Sequence, residues 1–228
     1  MSKKYLIYPF LLGCILCCTS CFDILEEINM NQDGSGHMLV TFNLSKSKTK
    51  LASVMMLDSI NGHKVPSEDD INEALKDVVD HLEKTKGISN IQNTKDFDDY
   101  IFTVSCDFKN IESVNGIFKD LIEKQNTKGA TNFATQNFSY DGTTKTFQRH
   151  FNYDDSIKKS IYHLSREDRK VFEDASLIAI YRFDNPVKSV SNQQAKVSPN
   201  KKAVMLKVDA LAFIMGEQNV ANKIQLTN

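Results

Sequence analysis

The sequence predicts an α+β domain: a mainly antiparallel sheet with hairpins, and two to four helices packed on one face. Three observations support this fold class. Apolar and polar residues alternate on both sides of the turn-forming stretch DGSG (33–36), which is typical of a β-hairpin. An amphipathic helix pattern over 68–86 precedes two strand-like segments, 88–93 and 99–108. A later run, 176–183, is apolar on both faces, as a central strand would be.

Composition limits the classes of function. The chain has 228 residues, of which 41% are hydrophobic and 25% charged, an ordinary globular composition. Its length allows one large domain or two small ones. The formal net charge of −1 gives no indication of nucleic-acid binding, so we expect no nucleic-acid partner.

The first 20 residues predict a lipoprotein signal peptide. Two lysines follow Met1 and Ser2, and an apolar run of 14 residues (5–18) comes next. This run is too short for a membrane span, which needs roughly 20 residues. A basic start followed by a short apolar run indicates an export signal rather than a transmembrane helix.

The cysteine pattern assigns a role to this segment. Cys14, Cys17 and Cys18 lie within it, Cys21 directly follows it, and only Cys106 lies elsewhere. A disulfide framework therefore lacks partners, and a zinc site would need a Cys or His pair further along the chain. Neither explanation fits, which leaves a processing signal.

Cys21 is the predicted site of lipidation. Thr19 and Ser20 directly precede it, and this pattern resembles the bacterial lipobox. In that family, diacylglycerol is attached to the cysteine thiol, the leader is cut before this residue, and the new amine is usually acylated. The resemblance departs at position −3, where leucine is usual and Cys18 stands. Two alternatives stay open: lipidation of Cys14 after Leu-Leu-Gly (11–13), and an ordinary cleaved signal peptide.

Residues 21–228 are predicted to form a single α+β domain, with a joint at 126–132 as a place of subdivision. Ser67 is expected to cap the first long helix and Gly87 to end it. Asn110 is expected to cap a second helix, 111–125. A helical stretch over 155–174 and strands at 203–208 and 223–227 complete the pattern.

Two segments raise the question of ligand contact. The basic loop SKSKTK (45–50) is typical of a solvated surface, and contact with anionic head groups is the alternative. In the following stretch, 51–60, Met55 and Met56 are expected to pack in the core, with an adaptable binding surface as the alternative.

A second hairpin, through Asp141-Gly142, is rich in aromatic residues. Cross-strand packing best explains this ladder, and a greasy pocket is the alternative. The hairpin places Phe138 and Tyr140 opposite Phe147, Phe151 and Tyr153.

Motifs for catalysis and metal binding are missing. The chain has no G-x-S-x-G, H-E-x-x-H, P-loop or G-x-G-x-x-G sequence. The stretch 29–34 imitates the start of an EF-hand loop, but Val40 stands where a bidentate Glu is required. Asp77 and His81 lack a third ligand, and Cys106 is expected to be a small core residue. We therefore predict no metal, no cofactor and no enzymatic activity.

Three stretches together resemble envelope lipoproteins of Bacteroides-type Gram-negative bacteria and, more loosely, the mycobacterial LppM lipoprotein family. They are SCFDILEEI (20–28), the early DGSG hairpin, and FDNPVKSVSN (183–192) followed by an NKKAV strand. The resemblance implies an α+β envelope domain anchored to the outer membrane by lipid, facing the periplasm or the cell surface. For the LppM family, lipid or glycolipid binding is suggested.

These observations predict a membrane-anchored, non-enzymatic envelope lipoprotein that binds a lipid or other amphipathic ligand between its sheet and helices. The alternative is a structural or accessory subunit of an envelope protein complex. A hydrolase is a third hypothesis, and it would require a concave cluster of carboxylates or histidines.

Overall fold

A computed structural model describes residues 22–60, 62–115, 117, 137–153, 155–163 and 165–228. The predicted leader, Cys21, the joint at 126–132 and most of the predicted helix 111–125 lie outside these residues. Within the described ranges, no helix has both the length and the apolar character needed to cross a membrane.

The described elements comprise strands and helices in mixed order. The strands are β1 (Asp23–Met30), β2 (Gly36–Asn43), β3 (Ser59–Ile60), β4 (His63–Lys64), β5 (Ile88–Asp96), β6 (Ile101–Phe108), β7 (Phe138–Asp141), β8 (Thr146–Arg149), β9 (Ser176–Phe183), β10 (Val187–Val190), β11 (Lys196–Val197), β12 (Ala203–Asp209) and β13 (Asn222–Leu226). The helices are α1 (Lys48–Val54), α2 (Glu68–Lys84), α3 (Asp155–Tyr162), α4 (Arg166–Arg169) and α5 (Ala210–Ile214).

The larger sheet has seven strands in the order β11-β12-β9-β1-β2-β6-β5. Neighbouring strands within this sheet are antiparallel, except for β1 and β9, which are parallel. The predicted α+β class is confirmed, and so is β9 as a central strand. The parallel pair arises because β9 enters beside β1 after a long connection rather than through a hairpin.

A smaller sheet, in the order β10-β13-β8-β7, packs on one face of the larger one. The Phe147 ring of β8 lies 5.0 Å from the Tyr181 ring and 5.5 Å from the Phe183 ring of β9, measured between centroids. All three side chains are buried. This second sheet was not predicted, because its strands come from distant parts of the chain.

Helix α2 covers the same face of the larger sheet. Ser67 caps it as predicted: its hydroxyl accepts from the Asp70 N–H at 3.1 Å, and the Asp70 carboxylate accepts from the Ser67 N–H at 2.8 Å. The hydrogen bond from the Ser67 backbone, followed by one from Lys64, lowers the pKa of Asp70 to about 2. Val78 and Leu82 pack into the core shared with the smaller sheet.

The opposite face of the larger sheet carries polar pairs. Arg182 donates to Glu27 at 2.7 Å. His37 Nδ1 lies 2.8 Å from an Asp107 oxygen. These pairs are partly exposed, so the face is solvated and the core lies on one side of the sheet.

Several other predicted elements are confirmed. The Asn110 side chain accepts from the Ser113 N–H at 3.1 Å, which confirms the predicted cap. The helix predicted to continue from residue 111 is wrong at its start, because the capped element is a 3₁₀ helix over Ile111–Val114 and Asn115 is already extended. The stretch 155–174 forms α3, α4 and a 3₁₀ turn over Lys170–Phe172. The last predicted strands correspond to β12 and β13.

One end of the larger sheet positions the candidate site, and we call it the Phe22 end. The Phe22 carbonyl accepts from the Ser176 N–H at 3.0 Å where β1 and β9 begin. By register, Asp23 lies opposite Asn43, the last residue of β2, and Ser176 lies opposite Asp209, the last residue of β12. Segments that leave β2 and β12 therefore emerge at the same end as Phe22.

The β1–β2 hairpin yields a test of the fold. A Cβ at Gly36 would overlap the Asn29 carbonyl oxygen and lie 2.7 Å from Phe108 Cζ. We expect Gly36→Ala to lower the free energy of unfolding by about 1–3 kcal/mol through overpacking. Urea denaturation measures this change.

Gly142→Ala is the matched control for this substitution. Its Cβ would meet only the Tyr140 ring, at 3.9 Å, so we expect a change within about 0.5 kcal/mol. Equal stabilities for the two variants would contradict the described packing of the hairpin.

Candidate functional site

A pocket of about 390 Å³ lies at the Phe22 end, between α3, α4 and α5. Its volume falls within the range of pockets that hold small-molecule ligands. Most of its wall is apolar and comes from Ile161, Tyr162, Leu211, Ala212, Ile214 and Met215.

Charged side chains complete the pocket wall. Lys158 and Arg169 contribute two cations, and Asp209 and Glu217 contribute two carboxylates. The Arg169 guanidinium lies 5.5 Å from the centroid of the Tyr162 ring, a cation–π arrangement that orients both side chains. The pocket thus combines an apolar surface with polar groups, which suits a molecule with an apolar body and a polar head.

Helix α5 forms one wall because several contacts hold it against the sheets. The Ala210 N–H donates to the Ala175 carbonyl at 2.9 Å. The Asp209 carboxylate accepts from the Ala212 N–H at 3.0 Å and caps the helix. These bonds fix the first turn of α5 beside the start of β9 and the end of β12.

The end of the aromatic hairpin braces the last turn of α5. The Phe151 ring packs on Phe213 at 4.8 Å between centroids, and the Tyr153 hydroxyl donates to the Ile214 carbonyl at 2.9 Å. The Tyr153 ring also lies against Gly216, which adopts a φ of +76°. These two aromatic residues therefore support the pocket wall without lining the pocket.

The central rings of the same hairpin are part of the core. Phe138 and Phe147 are 1% and 0% exposed, and their centroids lie 6.0 Å apart. Cross-strand packing explains them, as the sequence favoured, but the predicted partners are only partly correct. Tyr140 lies opposite Phe147, whereas Phe138 lies opposite Arg149, and β8 ends before Phe151 and Tyr153. The greasy-pocket alternative is wrong for these two rings, because both are buried in the core, where Phe147 packs on Tyr181.

A buried ion pair joins the two sheets. Arg149 on β8 donates from Nη2 to Glu26 Oε2 at 3.1 Å and from Nε to Oε1 at 3.3 Å. The Tyr181 hydroxyl donates to Glu26 Oε1 at 2.6 Å. The Arg149 and Glu26 side chains are only 15% and 17% exposed, so both charges are largely withdrawn from water.

The pair has consistent electrostatics. Burial disfavours the charged Arg149, but the Glu26 carboxylate and then Tyr181 outweigh it and raise the pKa of the guanidinium. Burial, reinforced by the neighbouring carboxylate of Glu26, raises the pKa of Tyr181 well above its ordinary value. Glu26 and Arg149 thus bind as an ion pair, with a neutral Tyr181 as a third partner.

Further contacts use the remaining donors of Arg149. Its Nη1 donates to the His150 carbonyl at 3.0 Å, and its guanidinium lies 4.7 Å from the centroid of the Phe138 ring. The imidazole of His150 is itself bonded to Ser139, 2.8 Å away. The polar groups of this network bind one another, so it serves as a clamp between the sheets.

The EF-hand-like stretch forms a turn. The Asp33 carboxylate accepts from the Ser35 N–H at 3.0 Å and from its hydroxyl at 2.6 Å. The Ser35 hydroxyl and then its N–H lower the pKa of Asp33. Turn chemistry therefore explains this stretch, as the sequence indicated.

The other residues considered as metal ligands from the sequence do not form a metal site in the described part of the chain. No three His, Cys, Asp or Glu side chains there are close enough together to hold an ion. Asp77 and His81 therefore have no third ligand among the described residues. The predicted absence of a metal and of a cofactor stays a prediction. Cys106 is a core residue, as predicted: it is 4% exposed, and burial raises the pKa of its thiol to about 11.

The residues that sequence reasoning missed are Arg149, Lys158 and Arg169. Glu26 offered a signal, since it shares the inward face of β1 with Ile28 and Met30 and therefore required a buried partner. Nothing in the sequence identified that partner. The predicted lipidation site, Cys21, lies outside the described residues.

Comparisons were made with family models, curated proteins and solved structures. No protein-family model matches the chain, and no curated protein sequence matches it significantly. The folded domain of the LppM protein of Mycobacterium tuberculosis, solved by NMR, is similar at a TM-score of 0.46 and 10% sequence identity, over 91% of each chain. The Bacteroides-type relationship stays a prediction.

The clamp between the sheets can be tested by removing one charge. We expect Arg149→Met to lower the free energy of unfolding by about 3–5 kcal/mol, because the Glu26 carboxylate is left buried without its partner. Glu26→Gln combined with Arg149→Met should recover part of this loss, since a neutral amide still accepts from Tyr181. Urea unfolding of the single and double variants measures the coupling.

Arg182→Met is the matched control for the clamp. Arg182 also pairs with a glutamate of β1, Glu27, but on the solvated face, so we expect a loss of at most about 1 kcal/mol. If the two arginine variants lose equal stability, the buried pair is not a clamp.

Proposed function

We propose that this chain is a lipid-anchored, non-enzymatic envelope lipoprotein that binds a lipid or other amphipathic molecule in the pocket between α3, α4 and α5. The pocket carries the proposal. Its apolar wall provides a place for an acyl or similar chain, and Lys158 and Arg169 provide donors for a polar head group.

The position of the predicted anchor supports the same proposal. Cys21 directly precedes Phe22, whose carbonyl bonds to Ser176 and whose ring packs on Phe172 at 6.1 Å between centroids. Phe172 follows α4, which contributes Arg169 to the pocket. Lipid attached to Cys21 would therefore hold the pocket close to the membrane of the proposed location, the outer membrane.

The proposed absence of catalysis rests on the use of the titratable groups. Glu26, Arg149 and Tyr181 bind one another between the sheets, and the Asp209 carboxylate caps α5. Each of these groups is engaged in holding the fold. A hydrolase would need such groups free to act on a substrate, and of the two pocket carboxylates, Asp209 and Glu217, the first is used to cap α5.

The anchor is tested by substitution of single cysteines. Cys21→Ala should abolish incorporation of a labelled fatty acid and release the protein from the membrane fraction, because the thiol that accepts diacylglycerol is gone. Cys14→Ala is the matched control and should leave labelling unchanged. Loss of labelling in Cys14→Ala alone would place the anchor at the earlier cysteine.

Ligand binding is tested by native mass spectrometry of the protein purified from its original host. We expect a co-purified lipid or amphipath in the wild-type protein. Ala212→Phe, which fills the pocket from α5, should weaken binding about tenfold, the effect of losing ~1.4 kcal/mol.

Ala52→Phe is the matched control for the pocket variant, because Ala52 is an exposed alanine on helix α1, outside the pocket. It should retain the ligand. A ligand-free mass for the wild-type protein, or equal occupancy in both variants, would count against the pocket.

The accessory-subunit alternative has weaker support. Strand β5 is an edge of the described larger sheet, where a partner strand would add. A register shift between Ser89 and Gln92 and the presence of Lys95 blunt this edge. Crosslinking in intact cells that recovers a stable complex would favour this alternative over the ligand-binding proposal.

A further inference from the structure

Exposed apolar side chains are concentrated in one short segment. Met56 is 86% exposed, Leu57 51% and Ile60 40%, and Met56 is the most exposed of the large apolar side chains described. We call residues 56–60 the apolar tip. Three large apolar side chains exposed within five residues are unusual for a surface that faces only water.

The apolar tip has a defined backbone. The Leu57 N–H donates to the Val54 carbonyl at 2.9 Å as α1 ends, and the Val65 N–H donates to the Asp58 carbonyl at 3.1 Å. The short hairpin β3–β4 lies between these bonds. The expectation that the Met55–Met56 pair packs in the core is wrong for Met56, because α1 ends before this residue and the turn directs it outward.

The chain path places the apolar tip at the Phe22 end. The segment that contains the tip, residues 44–67, follows β2, whose last residue, Asn43, lies opposite Asp23. It ends where α2 begins, at Glu68. Helix α2 runs antiparallel to β5, since residues 72–79 of the helix and 93–95 of the strand line one groove. Strand β5 ends at the Phe22 end, so α2 begins there.

Two ion pairs confirm this placement. Lys46 Nζ lies 2.8 Å from an Asp23 oxygen, and Lys48 Nζ lies 2.7 Å from an oxygen of Asp99 in the turn between β5 and β6. The segment between β2 and the tip is therefore fastened to the strand ends at which Phe22 enters the sheet.

The same ion pairs indicate which kind of surface this end of the domain could bind. Two of the three lysines in the basic loop 45–50 are engaged with carboxylates. The apolar side chains, rather than the basic loop, are thus the distinguishing feature of this end. They fit the boundary between head groups and acyl chains of a bilayer.

We infer that the apolar tip inserts into the surface of the bilayer to which the chain is anchored. The inference rests on the proposed anchor, because Cys21 would bring its acyl chains to within one residue of Phe22 at this end of the sheet. The tip and the anchor then make two contacts with the same membrane and orient the domain, with the pocket held at the lipid surface.

The test uses the full-length protein after processing in its host, reconstituted into phosphatidylcholine vesicles. Met56→Cys carries an environment-sensitive fluorophore, and Gln32→Cys, in the exposed turn at the other end of β1, carries it in the matched control. Cys106 is buried and should not react. One set of vesicles contains lipids with a nitroxide on the acyl chain, and iodide is added to the water in a second set.

We expect the nitroxide lipids to quench the Met56 label and the bilayer to shield it several-fold from iodide, relative to the Gln32 label. High salt should not change this result, because the contact is apolar. Leu57→Asp, combined with the Met56 label, should reduce the quenching, and the exposed position of Leu57 means that the fold tolerates the change.

Three outcomes would overturn the inference. Equal iodide access for the two labels on vesicle-bound protein would mean that the tip stays in water. Shielding from iodide without quenching by the nitroxide lipids would mean that protein, either a segment of this chain or a second copy, covers the tip. Failure of the protein to float with vesicles would remove the anchor itself. Flotation thus tests the proposed anchor, and quenching tests the tip.

Discussion

The Glu26–Arg149 ion pair between the two sheets is the interaction on which the remaining architecture depends. It connects β1 of the larger sheet with β8 of the smaller one, and Tyr181 completes it from β9. Relative to apolar side chains of the same size, such a pair adds little net stability, but an unpaired partner in this position is costly. The pair therefore favours one register of β8 over the larger sheet, the register in which both charges are satisfied.

The position of β8 also affects the candidate ligand site. The residues that follow β8, Phe151 and Tyr153, pack on α5 and hold the wall of the pocket. The buried clamp and the exposed pocket are thus linked by a few residues of continuous chain. The pocket lies at the Phe22 end because β12 ends there and α5 follows it directly. The apolar tip lies at the same end because β2 ends there.

Local signals accounted for much of the fold. The β1–β2 hairpin, helix α2 with its Ser67 cap and the central strand β9 all follow from periodicity and capping within short windows. The same signals misplaced Met56, because helical spacing continues past Val54 in the sequence although the helix does not. The parallel pairing of β1 with β9 had no local signal either, since its partners are more than a hundred residues apart.

By itself, the sequence determined the α+β class, most strand and helix positions, and the strand face that Glu26 shares with Ile28 and Met30, because each depends on alternation or capping among near neighbours. It also carries the processing pattern that predicts lipidation of Cys21. Only the tertiary structure decided that a second sheet covers the first, that Arg149 is the partner of Glu26, and that α3, α4 and α5 line an open pocket at the Phe22 end. These features join side chains from distant segments, and their contacts exist only after the chain has folded.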